Sequence, residues 1–151
     1  MGSTVRLTEH FDLSEFTISQ IAARYGISNV PDDAVIQNLH SLAEVLEDVR
    51  KVLGKPIIIS SGYRSVTVNK LVGGASNSFH IRGLAADFTC PGFGNIDSIC
   101  RAIAPKMQEF GIDQLIKEFN AWVHLGIAEQ DMDARHMVLT IDNTGTRIGI
   151  V

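Results

Sequence analysis

The chain has 151 residues, 45% hydrophobic and 20% charged, with 13 Lys and Arg against 17 Asp and Glu for a formal charge of -4. One domain over residues 1–151 suits this length, and a chain of this size buries about 68–70% of its unfolded surface, enough for a true core. The mildly acidic balance excludes a basic nucleic-acid footprint. Two cysteines exclude a disulfide scaffold, and no apolar run reaches the roughly 20 residues of a membrane span.

Met1 to His10 contain no apolar stretch, so no secretory signal is read, and Arg6 stands where a myristoylation signal after Gly2 has Ser or Thr. Ser14 is placed to cap a helix from about Glu15 to Tyr25, with Gly26 as its stop. Pro31-Asp32-Asp33 opens a longer helix in which Val35, Ile36, Leu39, Leu42, Ala43, Leu46, Val49 and Leu53 recur at helical spacing; Gly54 ends it. Ile57 to Ser60 reads as a buried strand, Val66 to Leu71 as a short helix, and Gly73 to Asn77 as a loop. Leu84 to Thr89 reads as a second strand with Asp87 inside it. Asn95 or Asp97 can cap a helix reaching Phe110 before Gly111. Leu115–Glu118 and Trp122–Leu125 form an expected hairpin, and Val138–Ile141 with Arg147–Ile150 form a terminal one. Helices followed by paired strands predict an α+β fold, with helices packed on a small antiparallel sheet. Cys90 and Cys100 are expected to be reduced thiols.

Chemistry concentrates in Ser78-Phe79-His80-Ile81-Arg82-Gly83-Leu84-Ala85-Ala86-Asp87, joined by His124 on the later hairpin. Two imidazoles and a carboxylate suit zinc in a catalytic site, where three protein ligands leave one position open. Each residue also has a plainer reading. A single histidine is often a surface or satisfied core residue, and Asp87 could pair with Arg64 or Arg82. His40 is read as a polar-face helix residue, His10 and His136 as exposed.

Taken in order, Ser61-Gly62-Tyr63-Arg64-Ser65, Asn69, Val72-Gly73-Gly74-Ala75, Ser78-x-His80-x-x-Gly83-x-Ala85-x-Asp87 and Trp122-x-His124 resemble the M15 metallopeptidases. These are zinc D-Ala-D-Ala carboxypeptidases and related peptidoglycan peptidases, phage endolysins among them. The resemblance runs from the Phe11–Phe16 opening to His124. It implies the D-Ala-D-Ala metallopeptidase (Hedgehog/DD-peptidase) fold, a Zn2+ held by His80, Asp87 and His124, and Arg64 touching the substrate or its carboxylate. Ser78 would hydrogen-bond the substrate or hold the His80 loop, and Trp122 would pack or line the cleft.

Many members carry their general base three residues before the last histidine, or a His two before it; here Ala121 and Trp122 stand there. Glu118, six before His124, is the candidate instead, with Asp113 in reserve. A three-residue loop at Phe119-Asn120-Ala121 would place Glu118 and His124 on one face; a two-residue loop would separate them. The expected protein is a monomeric zinc peptidase cutting D-amino-acid-containing stem peptides or cross-links of peptidoglycan. It would be made in the cytoplasm and reach the wall after release, or ride in a virion, with no membrane or nucleic-acid partner and no separate wall anchor. The alternative is a non-catalytic wall-binding or virion module that keeps the fold.

Overall fold

The computed structural model describes residues 5–151. The signal-peptide and myristoylation readings rest partly on residues 1–4, which lie outside the described residues. A short ribbon of β1 (Arg6–Thr8) and β2 (Phe11–Asp12) leads into α1 (Leu13–Thr17) and α2 (Gln20–Tyr25). The single helix expected over Glu15–Tyr25 is therefore two. The Glu15 carboxylate accepts from Asp12 N at 2.7 Å at the start of α1, and the Ser19 hydroxyl accepts from Ala22 N at 3.1 Å at the start of α2. Ser19 satisfies donors that a continuous helix would have used, so the chain restarts there.

The long helix α3 (Asp33–Leu53) appears as its periodicity requires. Asp32 caps it through Val35 N at 2.9 Å, and Gly54 closes it in the left-handed conformation with φ 67°. Its Leu39, Leu42, Ala43, Leu46 and Val49 are fully buried. Burial of one such leucine contributes about 1.5–3 kcal/mol. After β3 (Ile58–Ser61) and α4 (Val66–Leu71), a turn of 3-10 helix (Phe79–Arg82) precedes β4 (Ala85–Thr89). The helix expected to reach Phe110 is divided into α5 (Ile96–Ile103), a 3-10 turn (Ala104–Lys106) and α6 (Met107–Phe110). Pro105 lies in that turn, where its missing N–H and its ring oppose a continuous helix.

Strands β5 (Ile112–Glu118), β6 (Trp122–Ile127), β7 (Met137–Asp142) and β8 (Gly145–Ile148) complete a six-stranded sheet of order β3-β4-β6-β5-β7-β8. Its pairings are antiparallel except β5–β7, which is parallel. The terminal hairpin forms, but β8 starts two residues before Arg147 because the turn is tighter than expected.

The sheet has two unlike faces, as strand alternation demands. Ala86 and Phe88 on β4, Val123 and Leu125 on β6, and Leu115 on β5 share one buried cluster with the α3 leucines and with Ile99 and Ile103 of α5. The opposite face carries Asp87, His124, Ile116, Glu118 and Gln114, the residues that alternate with that core. Among the described residues no helix is long and apolar enough to cross a membrane.

Candidate metal centre

Register assembles the site. Asp87 on β4 and His124 on β6 are direct cross-strand partners, and Ile116 on β5 faces His124 from the other side. Phe119-Asn120-Ala121 form the three-residue connection, so Glu118 pairs with Trp122 and falls on the His124 face. His80 arrives from the 3-10 turn. Ser78 caps that turn, its hydroxyl accepting from His80 N at 3.2 Å.

Three donor atoms converge. His80 Nε2 lies 3.3 Å from Asp87 Oδ1 and His124 Nδ1 lies 2.9 Å from the same oxygen. One ligand atom from each residue falls within 4.8 Å of the others, a spacing that can hold a metal ion. The far ring nitrogens are occupied: His80 Nδ1 lies 2.7 Å from Gly62 O, and His124 Nε2 lies 3.1 Å from Gln114 Oε1. Both partners are carbonyl oxygens, so each far nitrogen donates, which leaves His80 Nε2 and His124 Nδ1, the nitrogens beside Asp87, as the ones that would ligate a metal in place of their bonds to the carboxylate. Burial pushes Asp87 up, but the hydrogen bonds and charges of His124 and His80 outweigh it and hold the carboxyl well below the usual carboxylate range. An ionised carboxylate and two oriented imidazoles, with no thiolate, fit zinc in an open catalytic site.

Arg64 is the arginine that meets Asp87, Nη2 to Oδ2 at 3.6 Å; Arg82 pairs with Glu129 instead. Arg64 is further fixed by Ser61 Oγ at 3.4 Å and Asn69 Oδ1 at 3.2 Å. Asn69, which is buried, also donates to Ala75 O at 2.8 Å, tying the glycine loop to the arginine. A Cβ at Gly74 would stand 2.1 Å from Asn69 Oδ1, so only glycine lets the loop approach.

Glu118 Oε1 is 3.7 Å from His124 Nδ1. Burial pushes its carboxyl above the ordinary value, with His124 opposing and Asp87 adding to the rise. Asp113, the reserve base, is not available. Arg135 binds it with Nε and Nη2 at 2.7–3.1 Å and with its backbone N at 2.7 Å. Burial raises the Asp113 pKa, but those bonds outweigh it and lower the carboxyl below its ordinary value. Glu118, Arg64, Ser78 and Trp122 all line one cavity of about 370 Å³ with the three convergent residues. The Trp122 indole N–H is buried there with no hydrogen-bond partner among the described residues. His10, His40 and His136 are exposed and outside the site; His10 meets Glu47 at 2.7 Å and His40 meets Glu44 at 2.9 Å. Cys90 and Cys100 are free and buried, and burial pushes the Cys100 thiol up to about 12.

Gln114 is the residue the sequence does not flag. A neutral amide in a strand carries no metal-ligand pattern. Its position depends on an irregularity of β5 at Asp113, after which Gln114 pairs with Gly126. A Cβ at Gly126 would come within 3.0 Å of Gln114 Oε1 and 3.1 Å of the Phe79 ring, so glycine leaves the path from Gln114 to His124 clear. Gln114→Leu removes the acceptor that orients His124 and is expected to weaken zinc binding about 10–100-fold, with little change in thermal stability of the metal-free protein. Competition with a chromophoric chelator measures the first, and a melting curve the second.

A family model described as Peptidase M15 matches residues 9–126. Over 43 residues the chain is 56% identical to the zinc D-Ala-D-Ala carboxypeptidase of Streptomyces albus G, a stretch covering 28% of this chain and 17% of that protein.

Proposed function

The chain belongs to the peptidase M15 family, and on that premise we propose that it is a zinc-dependent peptidase acting on D-amino-acid-containing stem peptides or cross-links of peptidoglycan. The observation that carries this reading is the convergence of His80 Nε2, Asp87 Oδ1 and His124 Nδ1, with Glu118 beside them in one cavity. Zinc, when bound there, polarises a carbonyl and acidifies water. Glu118 takes a proton from the attacking water at Oε1 and delivers it to the leaving amine. Its raised pKa suits that second task, because the acid form is easier to hold in a desolvated pocket. Arg64, held by Ser61, Asn69 and Asp87, keeps a guanidinium against the site, where it steadies the developing oxyanion or a substrate carboxylate. Ser78 keeps the His80 turn closed, and Trp122 walls the cleft beside its register partner Glu118.

Its place of action would be the cell wall, after lysis as for an endolysin or from a virion, working as a monomer. Zinc-loaded protein incubated with muropeptides is expected to release D-alanine if it trims termini, or new amino termini without D-alanine if it cuts cross-links. A chelator should stop either release and added zinc restore it. No release in any condition, with zinc still bound, would instead favour a non-catalytic wall-binding module. The placement of Glu118 argues against that module, since a site without an acid was its main motive.

A further inference from the structure

We propose that a second cavity beside the metal centre is a subsite for an extended segment of the substrate peptide, laid along the open edge of β3. The inference rests on the peptidase reading above. The cavity is about 500 Å³, larger than the metal cavity, and Arg64 lines both, so the two cavities are neighbours that share that side chain as a wall.

Its floor is Ile59, Ser60 and Ser61 of β3. This strand ends the sheet, with β4 on one side only. Among the described residues no backbone hydrogen bond joins Ile58–Ser61 to anything on the outer side. An edge strand with unpaired backbone groups is a template for another extended chain, and peptide ligands are commonly bound in this way. Ser61 is also the register partner of Asp87, so a chain running along β3 reaches the height of the metal centre before Phe16 closes the edge, its carbonyl accepting from Tyr63 N at 2.6 Å.

The walls support a peptide occupant. The junction of α1 and α2 supplies one side, and Val68 of α4 with Val72, the residue that follows the helix, supplies the other. Ile18 is 71% exposed and Val72 44% exposed, giving the groove apolar lips that nothing described here covers. No carboxylate lines it, and its one charge is Arg64. The groove therefore suits a neutral or anionic segment whose backbone amides pair with β3 and whose small apolar groups rest on the lips.

The test compares two substrates: an acylated dipeptide that fills the metal cavity alone, and the same peptide extended by three residues at either end. Wild-type, zinc-loaded protein is expected to favour an extended peptide at least tenfold in kcat/KM, mostly through KM. Val72→Trp and Ile18→Lys, both at exposed positions, should erase that preference while leaving dipeptide turnover unchanged. Equal loss on both substrates, or an undiminished preference, overturns the subsite. A second measurement does not depend on turnover: the extended peptide should slow hydrogen exchange at the Ile59–Ser61 amides in the zinc-loaded protein, and the dipeptide should not. If neither peptide is cleaved, the peptidase reading falls, and the groove is decided by exchange alone. Protection of β3 by the extended peptide supports it, and its absence overturns it.

Discussion

Replacing His80 with alanine is expected to abolish zinc-dependent hydrolysis and to weaken zinc binding by well over about 100-fold, since even partners one shell out change affinity about 10–100-fold. His80 is the donor that comes from outside the sheet, and without it Asp87 and His124 hold only one rung of the site. The substitution also leaves Asp87 with fewer partners. A buried carboxylate stripped of a partner costs about 3–5 kcal/mol, but Arg64 at 3.6 Å and His124 at 2.9 Å still meet Asp87, so the variant should fold with a modest loss of stability. Zinc content by competition titration, a melting curve and release from muropeptides separate these effects. Zinc-dependent hydrolysis that survives in the variant would remove His80 from the site.

Glu118→Gln makes the sharper distinction. The amide keeps the shape of the side chain and loses the ability to accept a proton. Loss of a positioned general base lowers rates by about 10²–10⁴-fold, so kcat is expected to fall by that factor. Zinc affinity should stay near the wild-type value, because Glu118 is not among the three convergent donors. A variant that loses zinc would make Glu118 a metal-site residue, and one that keeps full activity would remove it from the chemistry. The reserve position, Asp113, cannot take over, since three nitrogens of Arg135 occupy its carboxylate.

Local signals carried much of the fold. The long helix α3 announces itself because a capping aspartate, an apolar stripe and a closing glycine agree. The break at Ile18-Ser19 does not, because Ser14 reads as the cap of one helix, whereas the structure starts one helix at Asp12, tied to Glu15, and a second at Ser19. The parallel pairing of β5 with β7 is likewise a choice among distant strands that no local pattern encodes. At the site, the spacing of His80 and Asp87 before and within a strand was readable. Glu118 is only half legible: a three-residue loop puts it on the His124 face and a two-residue loop takes it away, and the chain makes the three-residue one. Arg135 and Gln114 were not, because one is defined by an acid 22 residues away and the other by a glycine across the ladder.

As proposed metal ligands, the cross-strand rung of Asp87 and His124 would tie metal supply to folding. A one-residue slip of β4 against β6 would turn one of the two toward the opposite face and dissolve the site. Held by the proposed ligands, zinc would bind the native pairing and not its neighbours in register, and by mass action it would draw the population toward that pairing. The ion would act as a proofreader of the sheet before it served any reaction, and a zinc-starved setting would leave chains that are inactive and also less strictly paired.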